Sequence, residues 1–411
     1  MTTTCLHGGT LFDGRRLIRP GGVIFSREEV LDVFQGRGSR VADRAIDVGG
    51  MLIMPGLVDL HSDALEKHIE MRPGVFFDPV FALQSLDNRL AACGVTRFCH
   101  AITFGDERSG VRSLEEALRM VTLIRAFAGQ AISAVRHRIH ARYEITGVDS
   151  LKVLQHLLHE GMIDMVSIMD HTPGQGQFKS FQAYKDYYGK TYALSDAELL
   201  EMVERKKEKR SHGWETVQDF LHQVQKRHLP ILSHDDDTED KVALVRELGG
   251  TASEFPVSLE AAAASIRHKM KVFMGAPNML RGRSTNGNLS AAEAITHDLC
   301  HGLVSDYYPE SLLQAAFKVC RSMAQSKEKA LALVSSGPGA YLDSRSGAGF
   351  LKPGAPADLV VIAETTPWVK TVQTWVGGSC VYNCGHPQVK MDGAIPSYVA
   401  RPSSIAMQLS G

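Results

Sequence analysis

The sequence lacks the features that mark several common classes of protein. Its 411 residues carry a formal net charge of −1. This neutrality argues against nucleic acid or an anionic membrane as the main partner, because both select basic proteins. No window approaches the ~20 consecutive apolar residues that a membrane span requires. The first 14 residues have no basic segment followed by an apolar stretch, so we expect no signal peptide.

Cysteine is scarce and irregularly placed. The seven cysteines are an odd number and are scattered along the chain, so we expect no disulfide framework and a cytoplasmic location. Cys380 and Cys384 form a close pair near the C-terminus, but without a second pair they do not complete a structural zinc site. The absence of a GxxxxGK[ST] motif argues against a P-loop nucleotide fold.

The residues that are present predict one large domain and one smaller domain. Hydrophobic residues make up 44% of the chain, enough for a sizeable core, and the length exceeds that of a usual single core. Short strand-like segments with glycine-rich turns occupy residues 1–53 and return at residues 350–400. We interpret these two regions as one small β-sandwich built from both termini.

The central region, residues 54–349, alternates strand-like apolar runs with helical segments. This alternation predicts an α/β fold, a (β/α)8 TIM-like barrel. A longer helical excursion at residues 176–228 separates the fourth and fifth strands. Its run ERKKEKR at 204–210 is an anion-attracting patch or, as we favour, the solvated face of a helix. The predicted strands are LIMPGLVDLH, GVTRFCHAIT, RHRIHARYEIT, MIDMVSIMDH, LPILSHD, GTASEFP, KVFMGAP and HGLVSD.

Histidines and carboxylates follow most of these predicted strands. The carboxyl ends of barrel strands converge at one mouth, so these side chains are expected to meet there. Such nitrogen and oxygen ligands suit Zn²⁺, with Mn²⁺ or Fe²⁺ as alternatives. We therefore predict a site for one or two divalent metal ions, which would activate water and polarise the scissile group. The predicted ligands are His61, Asp63, Glu144, His171, His234 and Asp306.

For one of these predicted ligands, Glu144, the sequence offers an alternative. Glu144 ends the third predicted strand, and Glu254 ends the sixth in the segment SEFP. Either carboxylate could complete the site, and either could instead be a solvated or salt-bridged side chain.

Two signatures frame the barrel: PGLVDLH at residues 55–61 and PGAPADLVVI at residues 353–362. With the strand-end series of histidines and carboxylates, they resemble the opening and closing signatures of the amidohydrolase superfamily. The resemblance implies a metal-dependent hydrolase in which a barrel lies beside a β-sandwich formed by both termini of the chain. Asp63 differs from the usual opening His-x-His pair. Glu144 would also have to replace the carbamylated lysine that the fourth strand lacks.

Several longer segments narrow this resemblance. Together they look like the diphosphohydrolase family of the carbon–phosphorus lyase pathway. That family removes pyrophosphate from α-D-ribose 1-alkylphosphonate 5-triphosphate, so the expected partner is a small phosphorylated sugar. The segments are LHSDALEKH (60–68), RPGV (72–75), MDHTPGQGQF (169–178), SHDD (233–236), MGAPNMLRGRSTNGNLSA (274–291) and SDYYPESLL (305–313).

The loop after the seventh strand suits such a substrate. A triphosphate needs cationic and amide donors, and arginine can pair bidentately with phosphate oxygens. Gly282 and Gly287 allow the backbone to approach closely. A basic surface loop is the alternative interpretation of this segment. The predicted substrate-binding residues after the seventh strand are Asn278, Arg281, Arg283, Ser284, Asn286 and Asn288. Those that follow the first strand are Lys67, His68 and Arg72.

The functional hypothesis makes Asp306 the general base that orients the attacking water and passes its proton to the leaving group. The products would be pyrophosphate and a ribosyl 5-phosphate. One alternative is an enzyme that hydrolyses a C–N bond, a cyclic amidase or deaminase, since such barrels host many chemistries. Another is a non-catalytic protein that binds phosphorylated ligands, which the complete ligand set disfavours. Homo-oligomerisation stays open.

Overall fold

The computed structural model describes residues 2–105, 111–172, 185, 195–284, 287–365 and 367–385. Both ends of this described chain contribute to one eight-stranded sheet. Its strand order is β18-β17-β16-β5-β1-β2-β3, with β4 paired to β1. These strands are β1 Thr4–Phe12, β2 Leu17–Phe25, β3 Val30–Gln35, β4 Arg44–Asp47, β5 Leu52–Pro55, β16 Leu359–Thr365, β17 Trp368–Val376 and β18 Ser379–Asn383.

The central region forms the predicted barrel. Eight parallel strands run in the order β15-β14-β13-β12-β11-β10-β9-β6. A β-bridge between Ser62, at the end of β6, and Asp306, two residues after β15, closes the barrel. The strands are β6 Leu57–Ser62, β9 Val95–Phe104, β10 Arg136–Glu144, β11 Met165–Met169, β12 Ile231–His234, β13 Ala252–Glu254, β14 Lys271–Gly275 and β15 Gly302–Val304. A separate two-stranded hairpin consists of β7 Glu70–Arg72 and β8 Val75–Phe76.

Helices cover the outside of the barrel and begin at recognisable caps. Asp78 accepts hydrogen bonds from the N–H groups of Val80 and Phe81, and Gly94 ends the same helix in the left-handed conformation. The helices are α1 Ala64–Ile69, α2 Pro79–Cys93, α3 Leu114–Ala128, α4 Val148–His159, α5 Asp196–Lys226, α6 Glu239–Glu247, α7 Leu259–Arg267, α8 Ala276–Arg281, α9 Ala291–Thr296, α10 Ser311–Ser322, α11 Lys327–Ala332 and α12 Ser336–Leu342. None of those described is long and apolar enough to cross a bilayer.

The barrel interior is apolar below its mouth. Val58, Leu60, Met165, Leu232 and Phe273 belong to one buried cluster there. On β10 the side chains alternate: Ile139, Ala141 and Tyr143 join the larger core beneath the helices. The intervening residues of β10 therefore face the barrel interior, because successive side chains of a strand point to opposite faces.

The first predicted strand, LIMPGLVDLH, is two strands in the structure. β5 pairs with β1 and β16 in the terminal sheet, whereas β6 pairs with β9 in the barrel. Gly56 lies between them, and its N–H donates to the carbonyl oxygen of Asp358. A Cβ at this position would lie 2.2 Å from Cγ2 of Thr96. The chain can pass from one sheet to the other here only with glycine, because the backbone packs directly against Thr96.

Gly56→Ala is expected to lower the free energy of unfolding by about 1–3 kcal/mol, because the added methyl overpacks the contact with Thr96. The midpoint of urea denaturation measures the change. Gly38→Ala is the matched control, since no atom lies within 4 Å of a Cβ built at Gly38. Equal midpoints for the two variants would contradict the assigned role of Gly56.

Candidate metal centre

A cavity of about 330 Å³ opens at the carboxyl ends of the barrel strands. Its wall combines acidic and imidazole side chains with cationic and amide side chains. Such a mixture is suited to metal ions and an anionic ligand. The polar residues that line it include Asp63, Lys67, Thr103, Arg112, Arg142, Glu144, His171, His234, Asp235, Asn278, Arg281, Ser284, Asn288 and Asp306.

One group of possible metal ligands lies deep in the barrel. His61, His140 and Glu254 are buried, and one donor atom of each lies within 4.8 Å of the others. Nδ1 of His61 is 3.2 Å from Oε1 of Glu254, and Nε2 of His140 is 3.7 Å from Oε2 of the same carboxylate. Nδ1 of His140 contacts the carbonyl oxygen of Leu60 at 2.9 Å, an arrangement that leaves Nε2 facing Glu254.

A second group adjoins the first. His171, His234 and Asp235 also place their donor atoms within 4.8 Å of one another. Oδ2 of Asp235 is 3.0 Å from Nδ1 of His234 and 3.5 Å from Nε2 of His171. The rings of His61 and His234 are 5.4 Å apart between centroids. The two groups therefore form one continuous cluster, which is large enough to hold one or two ions.

The donor atoms of the first group fit a cation. Nδ1 of His61, Nε2 of His140 and both carboxylate oxygens of Glu254 are buried without a hydrogen-bond partner. Buried polar atoms without partners are costly to fold. A divalent ion would satisfy all of them, and the nitrogen and oxygen donors match Zn²⁺, Mn²⁺ or Fe²⁺.

Burial controls the protonation of this first group. It lowers the pKa of His140 to about 4, and burial with the nearby charge of Arg142 also lowers the pKa of His61. Both imidazoles are therefore neutral at pH 7, the form that binds metals. Burial raises the pKa of Glu254, a cost that a bound cation would offset.

Glu144 has a different environment from Glu254, the alternative ligand. It accepts hydrogen bonds from Nδ1 and from the N–H of His171, at 2.8 and 3.1 Å. Burial alone would raise its pKa, but the Lys206 ammonium and His171 lower it to about 2. In the described structure Glu144 thus orients His171, whereas Glu254 lies between two histidines with unsatisfied oxygens. These contacts favour Glu254 as a direct ligand and Glu144 as a partner of His171.

Asp63 and Asp306 lie together at the closure of the barrel. The N–H of Asp63 donates to the carbonyl oxygen of Asp306, whose own N–H donates to the carbonyl oxygen of His61 at 2.9 Å. Asp306 adopts a left-handed φ of 61°, a conformation that is uncommon for residues other than glycine. Burial, with the negative charge of Asp63 nearby, raises the pKa of Asp306 to about 7.

The predicted metal ligands are thus brought together at one end of the barrel. Five of the six line the cavity, and His61 lies beside them through its contact with His234. Asp63 receives a hydrogen bond from Arg112 at 3.0 Å. That bond engages Oδ2 and leaves Oδ1 buried without a hydrogen-bond partner.

The predicted substrate-binding residues fall into two sets. Lys67, Asn278, Arg281, Ser284 and Asn288 line the cavity. The others do not line it, or lie outside the described residues. His68 is buried on α1 with its ring nitrogens against Ala64 and Arg89, Arg72 lies on the exposed hairpin, Arg283 is exposed, and Asn286 is outside the described residues.

Sequence reasoning missed several residues of the site. Arg112, Arg142, His140 and Asp235 contribute to the cavity or to the metal-ligand groups. The alternation of β10 was the available signal for two of them, because His140 and Arg142 share the face of Glu144 in the segment HARYE. Arg112 could not have been found this way, since it precedes α3 in a loop.

The charged run at 204–210 is only partly a solvated face. Arg205 and Lys207 are exposed on α5, as that interpretation expects. Lys206 is buried, however, and its charge lowers the pKa of Glu144. Nε of Arg210 donates to Oδ2 of Asp170 at 2.7 Å. One side of the helix therefore packs against the ends of the third and fourth barrel strands.

No protein-family model matches the chain. A curated relative is the alpha-D-ribose 1-methylphosphonate 5-triphosphate diphosphatase of Escherichia coli (strain K12). It is 34% identical over 341 residues, which cover 82% of this chain and 90% of that protein.

Solved structures share the fold at low sequence identity. An amidohydrolase matches with a TM-score of 0.63 and 14% identity over 93% of this chain and 99% of its own. The N-acetyl-D-glucosamine-6-phosphate deacetylase of Mycobacterium smegmatis matches with a TM-score of 0.62 and 14% identity over 93% and 100%. The dihydropyrimidinase of Brevibacillus agri matches with a TM-score of 0.62 and 12% identity over 93% and 95%. These matches establish the barrel-and-sandwich fold.

Glu254→Gln is expected to release about one metal equivalent per chain, because the amide removes the charge that joins His61 and His140. Elemental analysis after purification measures the metal content. Glu260→Gln, on the exposed surface of α7, is the matched control and should keep the wild-type content. If Glu144→Gln lost metal while Glu254→Gln kept it, Glu144 would be the direct ligand instead.

Proposed function

Because this chain belongs to the alpha-D-ribose 1-methylphosphonate 5-triphosphate diphosphatase family and has the amidohydrolase fold, it is a metal-dependent hydrolase, and we propose that it releases pyrophosphate from an α-D-ribose 1-alkylphosphonate 5-triphosphate. The reaction adds water across a phosphoric anhydride bond. The P–O bond to the leaving pyrophosphate breaks, and a ribosyl 5-phosphate remains.

The observation that supports this proposal most directly is the charge distribution of the cavity. Four cationic side chains, Lys67, Arg112, Arg142 and Arg281, line the same space as the metal-ligand cluster. A triphosphate carries several negative charges close to the bond that breaks, so its binding requires such a cationic wall. The amide side chains of Asn278 and Asn288 line the same cavity and provide further hydrogen-bond donors.

Divalent metal held by the two histidine-carboxylate groups would supply Lewis-acid polarisation of a phosphoryl oxygen and acidify water. The groups that would hold it are His61, His140 and Glu254 on one side and His171, His234 and Asp235 on the other. Glu144 orients His171 through their hydrogen bond. The assignment of Asp63 and Asp306 as further ligands stays a prediction.

We assign Asp306 the role of general base. It lines the cavity, and its backbone bonds to His61 and Asp63 hold it in place at the carboxyl end of the eighth strand. From there the carboxylate would accept a proton from the attacking water and transfer it to the departing pyrophosphate. Lys67 and Arg281 would hold the phosphate chain during this transfer, because both line the cavity and are exposed.

Metal-reconstituted protein is expected to release pyrophosphate from ribose 1-methylphosphonate 5-triphosphate. A coupled pyrophosphate assay measures the rate, and a chelator should abolish it. A cyclic amide and an amino-substituted heterocycle, assayed in parallel, test the alternative C–N hydrolysis. Turnover of either, with no pyrophosphate from the triphosphate, would contradict the proposed function.

Asp306→Asn is expected to lower kcat by about 100-fold or more, because the amide cannot accept the proton that a general base takes up. KM should change much less, since the cationic wall is intact. Asp298→Asn is the control, because Asp298 is an exposed residue paired with Lys329. Metal content is measured in both variants, and wild-type turnover by a metal-replete Asp306→Asn would show that Asp306 is not the base.

A further inference from the structure

Two cavity-lining side chains lie next to each other on the inner wall of the barrel. Thr103 of β9 is the register partner of Arg142 of β10. Register partners on parallel strands lie ~4.8 Å apart and project from the same face of the sheet. Both residues line the cavity, and they are 6% and 8% exposed. The pair therefore forms a fixed part of the wall.

Arg142 has donor capacity that the protein does not use. Its Nη2 lies 3.2 Å from Nε2 of His234, while its Nε is buried without a hydrogen-bond partner. No carboxylate of the described residues forms an ion pair with its guanidinium. The charge of Arg142 acts on Asp306 and Glu254 without a direct contact. Its buried Nε still lacks a hydrogen-bond partner, and an unsatisfied buried donor is costly. An anionic ligand in the cavity would supply that partner.

Thr103 is a second cavity-lining residue with an unsatisfied hydrogen-bonding group. Its hydroxyl oxygen is buried and has no hydrogen-bond partner. A hydroxyl can donate one hydrogen bond to an oxyanion. The side chains thus present an unused guanidinium N–H and an unused O–H from neighbouring strands of the wall.

We propose that Thr103 and Arg142 form a subsite for a tetrahedral oxyanion, and that its ligand is a phosphoryl group of the substrate's triphosphate. This assignment rests on the proposed function. Arg142 contacts His234, whose ring is 5.4 Å from that of His61 and 5.7 Å from that of His171. The guanidinium therefore lies where the two metal-ligand groups meet.

This position distinguishes Arg142 from Lys67 and Arg281, the exposed cations that also line the cavity. A phosphoryl group bound here would lie beside both the metal-ligand groups and Arg142. Arg142 would therefore stabilise charge on the reacting phosphoryl group as well as bind the substrate. Lys67 and Arg281 are exposed and would hold the parts of the substrate farther from the cluster. The subsite thus orients the triphosphate with one phosphoryl group against the barrel wall.

Equilibrium binding of inorganic pyrophosphate to the metal-loaded protein tests the subsite without turnover. Arg142→Gln should weaken binding by about 10- to 100-fold and Thr103→Val by about 3- to 10-fold, as expected for a charge-assisted and a neutral hydrogen bond. Arg142→Lys should fall between Arg142→Gln and the wild type, because lysine keeps the charge without the planar fork. Ribose, which carries no oxyanion, is titrated in parallel and should bind all variants alike.

Two matched controls lie on β10 and on the adjacent strand β11. Arg138 of β10 pairs with Asp164, and Ser167 of β11 is a buried register partner of Arg142 that does not line the cavity. Arg138→Gln and Ser167→Ala should bind pyrophosphate within about twofold of the wild type, since neither removes a contact to the ligand. Metal content and the urea midpoint are measured for every variant, before and after titration.

The outcomes separate the subsite from the proposed function. Wild-type pyrophosphate affinity in Arg142→Gln and Thr103→Val would overturn the subsite, even if the enzyme hydrolyses the triphosphate. An equal loss of affinity for ribose would overturn its assignment to the triphosphate, as would a loss of pyrophosphate affinity that follows a loss of metal. Weakened pyrophosphate binding in protein that never hydrolyses the triphosphate would leave the subsite in place and reject the proposed function.

Discussion

The closure of the barrel between its first and eighth strands is the constraint on which the candidate site depends. Backbone hydrogen bonds join His61, Asp63 and Asp306 across this seam, although more than 240 residues separate the two segments along the chain. The seam also fixes the strands on either side, whose carboxyl ends carry the other polar side chains. Without closure, the histidines and carboxylates would be separate strand-end residues with no shared ligand.

The terminal sheet contributes to this constraint from outside the barrel. β5 and β6 belong to different sheets yet are separated by Gly56 alone. The N–H of that glycine bonds to Asp358 in the segment before β16, so the C-terminal part of the chain anchors the start of the first barrel strand. The terminal sheet and the barrel are therefore connected by a hydrogen bond at the start of the strand that carries His61.

The cavity divides into a part whose donor atoms fit cations and a part whose N–H and O–H groups fit an anion. Buried donor atoms without partners, such as those of His140 and Glu254, fit metal ions. The hydroxyl of Thr103 and the Nε of Arg142 are unsatisfied donors, which fit an anion. The two kinds of unsatisfied group meet at His234, and one phosphorylated ligand bound with metal would satisfy both. This shared dependence explains why so many charged side chains remain buried at a single place.

Local patterns in the sequence determined the barrel, the sandwich from both termini and the strand-end positions of His61, His171, His234 and Asp306, because strand periodicity and turn residues act over a few positions. Only the tertiary structure decided which of these side chains meet. Glu144 turned toward His171 and Glu254 toward His61, although both end barrel strands. Arg112 entered the cavity from a loop whose path no periodicity encodes. Contacts between distant strands depend on closure and packing, which only the folded chain defines.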